Sequence, residues 1–305
     1  MSMAPGGVTA APPPKPASAY LRQILDLPRR PRIADVGANP LSPPPYAKLL
    51  TWCDCDLWGF EPQKEAFEKL LKEAAPNQHY FNHAVADGKE HIFYEAPNGA
   101  FSSLFPAFVP GFKLLDAFPR AYQGVTEHRL TTVALDSLQD LPKLDLLKID
   151  IQGGENLVFL GGAQKLSDAV CVIPEMRFLR LYQGEPMLAG TDALLSDMGF
   201  MLHKFLHQKS MDIGSSQKSQ VARKAIASQL VDGDAVYIRD ITDPDALSSE
   251  QWKFLALFAD GVFGSFDLVL HALDVLAERH EIPSDAASQY LAKLPKKYHK
   301  EAADA

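Results

Sequence analysis

The chain has 305 residues, 47% of them hydrophobic and 22% charged, with a formal net charge of −8. That length accommodates one large domain, or a domain with an appendage. An acidic balance with scattered Lys and Arg excludes a nucleic-acid backbone as the main partner, and no apolar run is long enough to span a bilayer.

The N-terminus lacks a charged-then-apolar signal pattern. Three cysteines, Cys53, Cys55 and Cys171, are too few for a zinc site and read as reduced thiols of a cytoplasmic protein. Residues 1–19, which include Pro12-Pro13-Pro14, read as a flexible lead, and residues 20–241 as the main domain. A short helix over Tyr20–Leu27 precedes Pro28. Arg32-Ile33-Ala34-Asp35-Val36 has the apolar, β-branched character of a buried parallel strand, and it ends in the turn Gly37-Ala38-Asn39. Leu57-Trp58-Gly59-Phe60 predicts the second strand, closed by Glu61-Pro62. In an open α/β sheet such ends line the crevice where a nucleoside cofactor lies, with the acidic residue on its ribose hydroxyls. The Pro-rich stretch from Pro40 to Tyr46 delays the next helix to about Pro45–Trp52.

Gln63–Ala75 predicts a helix with Phe67, Leu70 and Leu71 on one face. His79–Val85 and His91–Tyr94 predict two strands side by side around an Asp87-Gly88 turn. Residues 97–127 form a long aromatic loop, either a lid or substrate wall or a locally packed excursion. Thr131–Leu135 predicts a strand, and Leu144–Ile151 the most deeply buried one, which breaks at Gly153-Gly154 into a helix from Glu155. Ala169–Ile173 is the next central strand and delivers Pro174-Glu175. A helix over Met187–Met198, a strand over Phe200–Leu206, a polar loop at 208–220 and a strand over Asp234–Arg239 complete the domain. Residues 242–305 read as a helical extension with a capping box at Ser248-x-x-Gln251 and an apolar stripe through Phe266, Val269, Leu270, Leu273 and Leu276. So short a tail buries little core alone, so it is expected to dock on the sheet domain or on a second copy, as a homo-oligomer.

Leu147-Lys148-Ile149-Asp150-Ile151-Gln152-Gly153-Gly154-Glu155 resembles the signature of the FkbM-type family of S-adenosylmethionine-dependent methyltransferases. Asp35-Val36-Gly37-Ala38-Asn39, Phe60-Glu61-Pro62, His83-Ala84-Val85-Ala86-Asp87-Gly88, Ser102-Ser103-Leu104 and Leu135-Asp136-Ser137-Leu138 follow the family's order and spacing. The resemblance covers about residues 30–208, and Pro40 stands where the common form has glycine. It implies an α/β fold of the class I methyltransferase type: a mostly parallel seven-stranded sheet with helices on both faces. It further implies S-adenosylmethionine as cofactor and a hydroxyl acceptor on a small molecule or glycan.

Methyl transfer requires alignment of acceptor oxygen, methyl carbon and sulfur, and removal of the acceptor's proton. Asp35 is expected near the amino-acid end of the donor, with Gly37 allowing close backbone approach. Asn39 is either a contact or a turn residue. Glu61 is assigned to the ribose, beside Pro62, and the backbone of Ala84 and Val85 to the adenine. Asp150 is either a helix cap or a group facing the transferred methyl, and Glu175 pairs with it across the acceptor pocket. The two either act with one as base or hold a divalent cation, which is not required. Glu155 reads as a first-turn residue favoured by the helix dipole, and His203 as a packed or surface residue, with a base as the alternative. One rival is a nicotinamide-dependent oxidoreductase or epimerase, which lacks its later glycines here. The other is a degenerate methyltransferase fold kept for binding.

Overall fold

A computed structural model of the chain describes residues 15–40, 42–97 and 99–300. Residues 1–14 of the expected lead, including Pro12–Pro14, and Leu41 of the Pro-rich turn lie outside the described residues. The first helix, α1 (Pro16–Leu25), starts ahead of the expected Tyr20, because proline at a first helical position forfeits no hydrogen bond; residues 16–19 are therefore helix and not lead. Strand β1 (Arg32–Val36) follows as expected, and the prolines reduce α2 to one turn (Ala47–Leu50). Next come β2 (Asp56–Phe60) and α3 (Lys64–Glu73), whose apolar face is only half covered, with Leu71 48% exposed.

Strand β3 (Gln78–Phe81) is shorter than expected. Asn82 Nδ2 donates to the carbonyls of Glu61 and Pro62, holding the chain as it leaves the strand. Strand β4 (Glu90–Glu95) does not return beside β3. It pairs antiparallel with β5 (Thr126–Thr131) in a separate two-stranded sheet. The strand expected at 131–135 thus lies earlier; Val133 makes only a bridge to Val85, and Leu135–Ser137 is a 3-10 turn. Between β4 and β5 the aromatic segment holds α4 (Val109–Leu114) and builds a small core of its own. Phe112, Leu115 and Ala121 are buried there against Leu181, Tyr182 and Val231, so the segment is a packed excursion.

Strand β6 (Leu146–Ile149) leads through Gly154 into α5 (Glu155–Gly161). Strand β7 (Cys171–Arg177) runs past the expected end, so Glu175 lies inside it rather than at its terminus. Helix α6 (Leu188–Asp197), strand β8 (Phe200–Met211), helix α7 (Arg223–Ile226) and strand β9 (Gln229–Arg239) follow. The reason for the longer β7 is β9, which offers Asp234, Gly233 and Asp232 as ladder partners to Glu175, Met176 and Arg177. Pairing of β8 with β9 also makes residues 208–211 strand and not loop.

The sheet order is β3-β2-β1-β6-β7-β9-β8, with β9 alone running opposite to the other six strands. This is the mostly parallel seven-stranded sheet that the resemblance implies, flanked by helices. Its core gathers Val36, Phe60, Leu147, Ile149, Val172 and Phe159. Chain order reverses at β1, between β2 and β6, and open α/β sheets hold ligands at the carboxyl ends around such a point.

The described chain forms two compact units. Residues 31–42 and 55–251 carry both sheets; residues 15–30, 43–54 and 252–300 form a helical unit. The latter contains most of α8 (Ser249–Gly261), then α9 (Phe266–Glu278) and α10 (Ala286–Ala292). Val269, Leu273 and Leu276 of the expected stripe are buried, as are Tyr290 of α10 and Leu21 and Leu25 of α1. The tail thus does not build its core alone: N-terminal residues complete it. All three cysteines are free and buried, and among the described residues no helix is long and apolar enough to cross a membrane.

The capping box forms as read. Ser248 N–H donates to Gln251 Oε1 at 2.9 Å, and Gln251 N–H donates to Ser248 Oγ at 3.2 Å. Ser248→Ala should lower the unfolding free energy by about 1 kcal/mol, measured by chemical denaturation. An unchanged midpoint would mean the box contributes nothing to stability.

Candidate functional site

The carboxyl ends of β1, β2, β6 and β7 bring a set of carboxylates together. Asp35 in β1 is 3% exposed, and Lys148 of β6 places its Nζ 3.4 Å from Asp35 Oδ1 and 3.5 Å from the Gly37 carbonyl. The register of adjacent parallel strands puts Asp35 directly beside Lys148. Burial would strip Lys148 of its proton, but Asp35, Asp150 and Asp234 outweigh it and hold the ammonium above its ordinary range. Glu61, just past β2, is 4% exposed and accepts the Gln63 N–H at 2.8 Å through Oε1. Burial, and then Asp35, push its carboxyl up; the Gln63 N–H and Lys148 pull the other way.

Gly37 has φ +80°, and a Cβ there would stand 2.1 Å from the Asp150 carbonyl oxygen. The close approach expected of a ligand is thus made by the protein's own loop after β6. Gly37 and Ala38 N–H groups both donate to the Phe60 carbonyl, at 3.0 and 3.1 Å, and Asn39 N–H donates to Gly37 O at 2.7 Å. Asn39 and Pro62 are half-buried. Ala84 O accepts the Val133 N–H at 2.9 Å, and Val85 is buried.

Asp150 and Glu175 are joined by one side chain. Gln152 Nε2 donates to Asp150 Oδ1 at 3.1 Å and to Glu175 Oε2 at 3.0 Å. Its Oε1 accepts from the Tyr182 hydroxyl at 3.1 Å and from Arg177 Nη2 at 3.4 Å. Four hydrogen bonds hold Gln152 at φ +58°, a left-handed backbone that non-glycine residues rarely adopt. Ser103 of the Ser-Ser-Leu motif fixes the same loop by donating its hydroxyl to Gln152 O at 2.6 Å. Glu155 is buried, and its Oε1 accepts the N–H groups of Ile151 and Gly153, so it ties the loop as well as starting α5. His203 is half-buried within β8.

Arg177 is the cation that keeps this cluster together. It lies 2.7 Å from Glu175, 3.3 Å from Glu185 and 3.3 Å from Asp232. Asp150, Glu155 and Glu175 each present an oxygen within 4.8 Å of the others. Sequence reading singled out neither Gln152, Arg177, Tyr182 nor Glu185 for a role. Lys148 carried a signal, a lone cation inside an apolar strand. Arg177 lay past the expected strand end, where no pattern marked it.

Burial raises the Glu175 carboxyl well above its ordinary 4.5; Asp150 adds to the rise, while Arg177 opposes it. A carboxyl raised by folding stabilises fully below its unfolded value, and that stability is lost as pH climbs through the folded value. Glu175→Gln should therefore melt higher than the parent above pH 4.5. The gap should widen by up to about 1.4 kcal/mol per pH unit across that window. Melting curves from pH 4 to 8 test this, and a pH-independent gap would contradict it.

The Methyltransferase FkbM domain family matches residues 35–202, more than half of the chain. No curated protein matches it. Among solved structures, a magnesium protoporphyrin IX methyltransferase from Synechocystis PCC 6803 with bound SAM is 11% identical, over 73% of this chain and 76% of that one, with a TM-score of 0.37. A methyltransferase FkbM from Methylobacillus flagellatus KT is also 11% identical, over 72% of this chain and 50% of that one, at a TM-score of 0.35.

Proposed function

The chain belongs to the FkbM methyltransferase family, and from that membership we propose that it methylates a hydroxyl on a small molecule, a sugar or glycan, or a secondary metabolite, using S-adenosylmethionine. The observation that carries the choice of cofactor is the turn after β1. Its N–H groups at Gly37, Ala38 and Asn39 are used within the protein, and Pro40 has none. A dinucleotide needs such groups for its diphosphate, whereas a nucleoside without phosphates does not.

In this reading Glu61 accepts from the ribose hydroxyls, beside Pro62. Asp35, paired with Lys148 at 3.4 Å, faces the ligand's ammonium, with Gly37 and Asn39 shaping that end, and Ala84 and Val85 border the adenine. When bound, S-adenosylmethionine supplies a methyl group on a cationic sulfur. Asp150 and Glu175 flank the acceptor hydroxyl, and Glu175, its carboxyl raised by burial, takes the proton. A divalent cation held by Asp150, Glu155 and Glu175 is the other route. The base is favoured because Gln152 and two backbone N–H groups already engage one oxygen of each.

The same reading places the protein in the cytoplasm, with any self-association through the C-terminal helices. Sedimentation as a monomer removes the latter. Titration calorimetry with S-adenosylmethionine and with NAD tests the cofactor. Heat with the first alone is expected. Binding of NAD instead overturns the reading, and binding of neither leaves a fold retained for assembly.

A further inference from the structure

Outside the sheet unit, the helical unit encloses a cavity of about 480 Å³, within the size range of small-molecule sites. Four lysines from three stretches of the chain line it: Lys15 before α1, Lys48 in α2, and Lys293 and Lys297 after α10. Among the described residues none of the four is in an ion pair. Lys293 lies 5.0 Å from the Tyr20 ring and Lys297 4.8 Å from the Tyr298 ring, so two of the ammonium groups rest against aromatic faces.

Among the described residues, the only acid in the lining is Asp260. Its Oδ2 accepts from the Ser18 hydroxyl and its Oδ1 from the Tyr290 hydroxyl, each at 2.5 Å, so both oxygens are engaged inside the unit. The remaining wall is apolar and aromatic, with Trp52, Phe266, Leu294 and Tyr298. The four lysines are exposed, so water screens them from one another, and they bring positive charge to an apolar hollow in a protein whose overall charge is −8. An anion at the rim complements those charges, and an apolar body below it fills the hollow.

We propose that this cavity binds a small amphipathic anion, an acyl or aryl carboxylate whose head lies among Lys15, Lys48, Lys293 and Lys297 and whose body packs on Trp52 and Phe266. Only Lys48 and Trp52 of the lining fall within the stretch that matches the family, so the site is independent of the proposed methyl transfer. Its occupant could come from metabolism or from lipid breakdown; the shared chemistry is a carboxylate on an apolar body.

The test uses the full chain and dodecanoate, with dodecanol and inorganic phosphate as arms lacking head or body. Dodecanoate should quench tryptophan fluorescence saturably and bind at least tenfold more tightly than either arm. Lys48→Glu/Lys293→Glu/Lys297→Glu should weaken it at least tenfold, while calorimetric binding of S-adenosylmethionine stays at the parent value. Trp52→Phe should keep dodecanoate binding by calorimetry but lose the quench, which locates the ligand. If circular dichroism shows the triple variant unfolded, Lys297→Glu alone should still weaken binding by a measurable factor of about two or three. Equal affinity in the folded lysine variants, equal binding of dodecanol, or a quench that survives Trp52→Phe overturns the proposal.

Discussion

Asp150→Asn is expected to lower turnover by roughly 10²–10⁴, the usual contribution of a positioned proton acceptor and its partner, while S-adenosylmethionine binds as before. For the hydroxyl acceptor proposed above, the alcohol yields its proton reluctantly near neutral pH, so that reading requires a group that receives it. Asparagine keeps an oxygen where Gln152 Nε2 donates at 3.1 Å, and it leaves the backbone carbonyl that packs over Gly37 untouched. What it removes is the charge beside Glu175, and with it part of the rise in the Glu175 carboxyl. The rate on the acid side of the pH profile should therefore shift toward lower pH. A chelator separates the two routes: activity lost and then restored by a divalent cation means metal, and indifference means base. Turnover within a few-fold of the parent would take Asp150 out of the chemistry.

Glu61→Ala is expected to weaken S-adenosylmethionine binding by roughly 1.5–3 kcal/mol, the scale of a hydrogen bond to a charged group, or about 10- to 150-fold in Kd. The carboxylate is buried and its Oε1 caps the Gln63 N–H, so the variant also frees one backbone donor. A fold readout belongs beside the calorimetry for that reason. Glu61→Gln supplies the control, since it retains an acceptor for both Gln63 and a ribose hydroxyl, and it should lose less. Unchanged affinity in a folded Glu61→Ala protein would remove Glu61 from the ribose.

Much of the placement of the candidate site residues in the sheet was legible in the sequence. Apolar runs closed by Asp35, Glu61 and Asp150 predict carboxyl ends of parallel strands, and all three residues lie at neighbouring ends of one sheet edge. The glycine at 37 was also legible, but its cause was not. The atom that excludes a side chain there belongs to Asp150, far along the chain, and sequence spacing carries no record of such a crossing.

Local order decided what the sequence alone could specify. Ser248 and Gln251 meet because they lie three positions apart at the first turn of a helix. The buried strands β1 and β6 form where apolar and β-branched residues run together. Tertiary structure decided the rest, because the deciding partners are remote. Strand β7 reaches Arg177 only because β9 comes back antiparallel beside it. Strand β4 leaves β3 for β5 because an antiparallel partner beyond the aromatic excursion completes its hydrogen bonds. The Asp150–Gln152–Glu175–Arg177 cluster exists because β6 and β7 are neighbours, with Tyr182 brought in by the excursion's own core. Four lysines scattered from Lys15 to Lys297 line one cavity only because α1, α2 and the residues after α10 come together. Which residues share a cavity depends on distance in space, which position along the chain does not carry.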